Sequence, residues 1–144
     1  MSLSGPLTGP ASGHSQDRAD VELRLPADSA YVSVLRTTTA GLAARLDFPI
    51  DDIEDLRIAV GEASAMVLPE ADEAGDLLCR FFMRPGRLTV TVGVSTSRAA
   101  QRPDYDSFAW QVLTTLATSA SADTSDGRFT ITLTMESGTP ELGL

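Results

Sequence analysis

The stretch Ile53-Glu54-Asp55-Leu56-Arg57-Ile58-Ala59-Val60-Gly61-Glu62-Ala63-Ser64-Ala65-Met66 decides how the rest of the chain is read. Ile53, Leu56, Val60, Ala63 and Val67 recur every three or four residues and form one apolar stripe of a helix. Asp51 and Asp52 open it, where carboxylates suit the positive end of the helix dipole. Pro69 stops it. Ile58, Glu62 and Met66 stand four residues apart and share a second face, pointing away from that stripe. A helix apolar on two sides is packed on two sides or lines a pocket. Glu62 would then be a carboxylate bordering the second surface.

Outward from this helix the pattern is regular. Upstream, Val21, Leu23 and Leu25 alternate with charged residues, as in a half-buried strand that Pro26 ends. Asp28 or Ser29 caps a first helix, with Tyr31, Val34, Leu35, Thr38, Leu42 and Leu46 at helical spacing. Phe48-Pro49 breaks it. Downstream, residues 69–76 make an acidic loop. Two strands, 77–84 and 87–94, are joined by a turn at Pro85-Gly86. Residues 95–106 read as polar and irregular. Phe108, Val112, Leu113, Leu116 and Ala120 mark a third helix, capped by Asp106 or Ser107. Asp126-Gly127 turns the chain into a last strand, where Phe129, Ile131 and Leu133 alternate with threonines.

The predicted order is β-α-α-β-β-α-β. It implies an α+β two-layer sandwich, with a mixed, mostly antiparallel sheet covered by helices on one face. Residues 1–19, rich in Ser, Gly and Pro, read as a disordered tail. Residues 20–136 form the domain, and 137–144 a flexible C-terminus.

Composition narrows the function. The 144 residues suit one domain, and 42% hydrophobic with 22% charged residues is ordinary for a globular chain. The net charge is −9, and all eleven basic residues are arginine. Such a surface repels nucleic-acid phosphates and anionic membranes. It suits a basic protein partner, or simply keeps the protein soluble. Cys79 is the only cysteine and sits in an apolar run, so it reads as a buried, inert thiol. His14, the only histidine, lies in the tail. A Ser-His-Asp triad, a Cys-His pair and a His-based metal cluster all lack their parts, and no metal site is expected. No apolar stretch approaches the ~20 residues of a membrane span. The start does not read as a signal peptide. A cytoplasmic location is expected.

The run from Val21 to Met66, and 53–63 above all, resembles the anti-sigma-factor serine kinases of the histidine-kinase-like ATPase (GHKL) superfamily. The resemblance extends over residues 21 to 135, specific in the first two helices and topological afterwards. It implies that superfamily's fold. In the family a Glu-x-x-x-Asn box supplies a Glu that polarises the attacking hydroxyl and an Asn that ligates Mg²⁺. Glu62 matches the Glu, but Met66 stands for the Asn, and a thioether is a poor ligand for a hard cation. The family's Asp-x-Gly-x-Gly box matches Gly93-Val94-Ser95-Thr96-Ser97-Arg98, with Val94 for the Asp and Thr96 for the first Gly. Where a second glycine box would cradle phosphates, the chain reads Asp106-Ser107-Phe108-Ala109-Trp110.

The resemblance therefore implies a degenerate nucleotide site made of Glu62, Met66, Val94, Thr96, Asp106, Ala109 and Trp110. Trp110 would be a core residue or an apolar plug in the space of the nucleotide. No catalytic residue is expected. Glu62 would be a vestigial general base, or else a surface carboxylate or the partner of a neighbouring Arg. No cofactor is expected; ATP and Mg²⁺ return only with the kinase alternative.

The resemblance also implies a docking surface on the first helix and the loop before it, carried by Tyr31, Ser33 and Arg36. Arg36 matches an arginine that contacts both the sigma factor and the competing anti-anti-sigma protein; an ordinary exposed arginine is the other reading. The implied function is an anti-sigma factor that sequesters an alternative sigma factor, as in stress-response transcription control. It would be released by an anti-anti-sigma (STAS) partner, without kinase activity. The alternatives are an active serine kinase that phosphorylates that partner, and an unrelated binding module on the same fold. No direct nucleic-acid or membrane partner is expected. Relatives in the family pair as dimers, and the edge strand near Val21–Leu25 offers a place for that by analogy.

Overall fold

The computed structural model describes residues 18–98 and 103–137. The tail read over 1–19 and the C-terminus read over 137–144 lie outside the described residues, except at 18, 19 and 137. The Ser137 N–H donates to the Gly86 carbonyl at 2.8 Å, which ties the end of the last strand to a hairpin turn.

The elements are β1 (Val21–Pro26), α1 (Val32–Arg45), α2 (Ile50–Val67), β2 (Asp76–Arg84), β3 (Arg87–Ser95), α3 (Phe108–Leu116), β4 (Ser119–Ser125) and β5 (Arg128–Glu136). Short 3-10 turns precede α1 (Ser29–Tyr31) and follow α2 (Leu68–Glu70). The sheet has five strands in the order β1-β2-β3-β5-β4, and every pairing is antiparallel. This is the two-layer α+β arrangement expected, with one strand more than the predicted order. The sheet is wholly antiparallel rather than mixed.

The extra strand is β4. Sequence periodicity runs the third helix on to Ala120, but the helix ends at Leu116 and the chain turns back as Ser119–Ser125. Its sequence, Ser-Ala-Ser-Ala-Asp-Thr-Ser, has little intrinsic β preference. Pairing with β5 makes it a strand: Ala120 stands opposite Leu133 and Ala122 opposite Ile131, so both alanines face the core. The two strands join through Asp126 (φ 54°) and Gly127 (φ 73°), the positive-φ pair that a tight hairpin turn demands.

One face of the sheet carries the core. Cys79 and Phe81 of β2, Val90 and Val92 of β3, and Ile131 and Leu133 of β5 alternate inward and are fully buried. They meet Leu35 of α1, Leu56, Val60, Ala63 and Val67 of α2, and Leu113 of α3. The stripe read in α2 is thus the core stripe. In α1 the phase differs. Tyr31 and Val34, expected in the stripe, are 40% and 42% exposed, whereas Val32, Leu35, Thr39 and Ala43 are buried. Thr39 satisfies its hydroxyl by donating to the Leu35 carbonyl at 2.8 Å, so a polar residue can occupy a core position. Phe108, read as part of the third helix's apolar face, is 82% exposed at the start of α3.

Cys79 yields a pH prediction. Burial pushes its thiol up from 9.0 to about 12. Between those values the unfolded thiol has lost its proton and the folded one has kept it. The unfolded state then binds fewer protons, so stability falls as pH rises. The slope is at most about 1.4 kcal/mol per pH unit. Urea unfolding of wild type and Cys79→Ala at about pH 8 and about pH 10.5 is expected to show the wild type losing the extra stability. Parallel pH dependences would refute it.

Candidate functional site

The docking surface expected from the sequence would be carried by α1 and the turn before it. Asp28 caps that turn, accepting from the Ala30 N–H at 2.8 Å. This places Tyr31 at the entrance of α1, with Val34 one turn on, and both are largely exposed. Ser33 is exposed and Arg36, one turn further on, is half-buried. Leu35 between them is fully buried and anchors the helix. The Arg36 guanidinium lies against Gly61 of α2: a Cβ there would stand 2.9 Å from Nε and 3.1 Å from Nη2. The Arg36 side chain forms no ion pair and no hydrogen bond with any other described residue.

The second face of α2 carries Glu62 and Met66, the positions the sequence assigned to a degenerate box. Glu62 and Met66 are both half-buried, and Met66 packs against the edge of the core. Ile58, on the same face, is 50% exposed. Glu62 has no ion pair among the described residues, so the reading that matches it with a neighbouring arginine does not hold there. At the start of the helix, Asp52 is held above the ordinary carboxylate range by desolvation, then by the Asp55 and Asp51 carboxylates.

The exit of β3 approaches the far end of α2. Val94 is fully buried and Thr96 is 6% exposed. The Thr96 N–H donates to the Gly127 carbonyl at 2.8 Å, and its hydroxyl accepts from the Arg98 N–H at 3.2 Å. Arg98 pairs with Glu70 at 3.0 Å, and Asp72 accepts from the Ser97 N–H at 2.8 Å and hydroxyl at 2.9 Å. These bonds strap Thr96–Arg98 onto the loop after α2, one turn beyond Met66. The acidic loop read over 69–76 supplies both carboxylates of that strap.

At the start of α3, Ser107 is the cap: its hydroxyl accepts from the Trp110 N–H at 3.1 Å. Asp106 is exposed, its N–H bonded to Asp104 Oδ1 at 3.0 Å, and Ala109 is half-buried. Trp110 is 7% exposed and belongs to the core cluster. Tyr105 meets it edge-on, with ring centroids 5.0 Å apart. Helix α3 packs on α2, so the Trp110 and Glu62 elements are neighbours. Two hollows of about 830 and 400 Å³ lie on the helix-free face of the sheet, lined by residues such as Phe82, Thr91 and Arg128. Neither is lined by Glu62, Met66, Val94, Thr96, Asp106, Ala109 or Trp110. Among the described residues no group of three or more His, Cys, Asp or Glu could hold a metal ion, and no helix is long and apolar enough to cross a membrane.

Serine-protein kinase RsbW of Bacillus thuringiensis (strain Al Hakam) is 36% identical to the chain over 74 residues, 50% of the chain and 46% of the relative. RsbW of Bacillus cereus (strain AH820) and of Bacillus anthracis match to the same extent. The chain resembles the RsbW serine-protein kinases. It spans about half the length of the RsbW proteins it matches. No protein-family model matches it. A resemblance to RsbW agrees with the family read from Val21 to Met66 and with the α+β fold.

Gly61 is the residue near the site that the sequence did not single out. A glycine in mid-helix is a weak signal alone, and its neighbour across the α1–α2 contact is set by tertiary packing.

Proposed function

We propose that this protein is an anti-sigma factor that sequesters an alternative sigma factor and is released by an anti-anti-sigma protein of the STAS type. In this reading it acts without ATP-dependent phosphoryl transfer. The observation that carries the docking half is Arg36. Its guanidinium is unpaired among the described residues, on the helix that the resemblance makes the docking element. A planar fork of five donors suits bidentate grasp of a partner carboxylate. Tyr31 and Val34 add exposed apolar area beside it.

The absence of kinase chemistry rests on the donor set. The residues present do not fit a Mg²⁺–nucleotide complex. The Met66 thioether stands where an oxygen ligand is required. A buried Trp110 and an exposed Asp106 stand where bare backbone would approach phosphates. Release would then follow competition between partners and mass action. Two observations favour the kinase reading: Glu62 is half-exposed and not consumed in an ion pair among the described residues, and the relatives are named serine-protein kinases.

Isothermal titration with ATP and excess Mg²⁺ separates the two. No saturable heat and no thermal shift are expected. Clear binding would move the kinase to first place, and phosphate transfer to a STAS protein would establish it. Purified sigma factors from the same genome, titrated one by one, test sequestration. If none binds, the unrelated binding module remains.

A further inference from the structure

We propose that Gly61 is a positioning residue for Arg36: its missing side chain leaves the shelf on α2 that holds the guanidinium ready for a partner carboxylate. The inference rests on the reading of Arg36 as the docking arginine. It starts from an oddity of composition. Gly61 sits in the middle of an 18-residue helix, where glycine is among the poorest helix formers. No turn or bend requires it, for α2 continues unbroken from Ile50 to Val67.

What does require it is close approach. A Cβ at Gly61 would stand 2.9 Å from Arg36 Nε, 3.1 Å from Nη2 and 3.4 Å from Cζ. Three guanidinium atoms at similar distances mean that the group lies along the glycine rather than touching it end-on. Helices α1 and α2 pack on one another, and the arginine reaches across that contact to rest on bare backbone. No ion pair or hydrogen bond among the described residues holds it there. The shelf is therefore the restraint. Such a restraint lowers the rotamer entropy lost when a carboxylate is gripped. The exposed Ile58, one turn before Gly61, borders the same spot with apolar surface.

The clash would fall on the far end of a flexible side chain. Filling the shelf therefore moves the arginine, not the fold. Alanine is also a far better helix former than glycine, so Gly61→Ala should keep or raise the melting temperature. Gly61→Leu puts a longer side chain into the α1–α2 contact, and its stability is measured beside that of Gly61→Ala. Two readouts then apply. The first needs no partner: the Arg36 Nε–H resonance, assigned by comparison with Arg36→Ala, should shift in both variants. The second is titration of the sigma factor that binds wild type. Affinity should fall about tenfold for Gly61→Ala and about a hundredfold for Gly61→Leu, the range of a charge-assisted hydrogen-bond pair misplaced. In an Arg36→Ala background the same substitutions should add nothing.

Wild-type affinity in Gly61→Leu, or an equal loss in the Arg36→Ala background, overturns the proposal. If no sigma factor binds wild type, the functional reading fails by itself. The shelf is then judged by the resonance: a shift without loss of stability upholds it, and an unmoved resonance overturns it.

Discussion

Arg36→Glu is expected to abolish sigma-factor binding while the protein stays folded. Buried interface arginines are among the side chains whose truncation costs 2 kcal/mol or more, roughly thirtyfold in affinity. Reversal goes further than truncation, because a partner carboxylate that met a guanidinium would meet another carboxylate. A loss of about a hundredfold or more is therefore expected. The fold gives little reason for a parallel loss of stability. Arg36 is half-buried and its side chain forms no ion pair or hydrogen bond among the described residues, so no buried partner is orphaned. A change within about 1 kcal/mol is expected by urea unfolding. The same variant should also lose the STAS partner if the two partners compete for one surface. Binding of the sigma factor at wild-type strength would refute the docking assignment.

Trp110→Ala should have the largest effect on stability, about 3–5 kcal/mol. Against the 5–15 kcal/mol typical of whole domains, that brings the protein close to unfolding. Trp110 is 7% exposed, lies in the core cluster and meets Tyr105 edge-on at 5.0 Å. Removing the indole leaves a cavity where α3 packs on α2 and deprives Tyr105 of its partner. Urea unfolding measures the loss, and Trp110→Phe should recover much of it by keeping an aromatic ring in place. In the wild type, the single tryptophan should emit in the blue-shifted range of buried indoles and resist acrylamide quenching. Emission typical of full exposure would contradict both its burial and the idea that it occupies the space of a nucleotide.

Both effects sit on elements whose existence the sequence announced, although their partners became visible only in three dimensions. The same division holds along the chain. The stripe Ile53, Leu56, Val60, Ala63 and Val67 fixed α2 and its buried face, since a strong 3.6-residue period over many residues admits one solution. Apolar content between turn signals marked β2, alternation marked β3 and β5, and Pro85-Gly86 and Asp126-Gly127 marked the turns that join them to their neighbours. The burial of Cys79 was also legible, because it follows from the residue type and its apolar neighbours.

Tertiary structure alone decided the rest. It made Ser119–Ser125 a strand, since alanine and serine carry too little preference to declare one and only the ladder with β5 stabilises it. It chose the buried face of α1, where Thr39 could replace an apolar residue once its hydroxyl bonded the backbone within its own helix. It exposed Phe108 and buried Trp110 two residues later, because α3 meets α2 on one side only. It left Glu62 without an ion pair among the described residues and brought Arg36 onto Gly61, twenty-five positions away in sequence. Period and residue type are local properties, and one chain carries them on its face. Which helix face meets which, and which side chain reaches across, depends on contacts between distant residues, whose free energy exists only once the layers have packed.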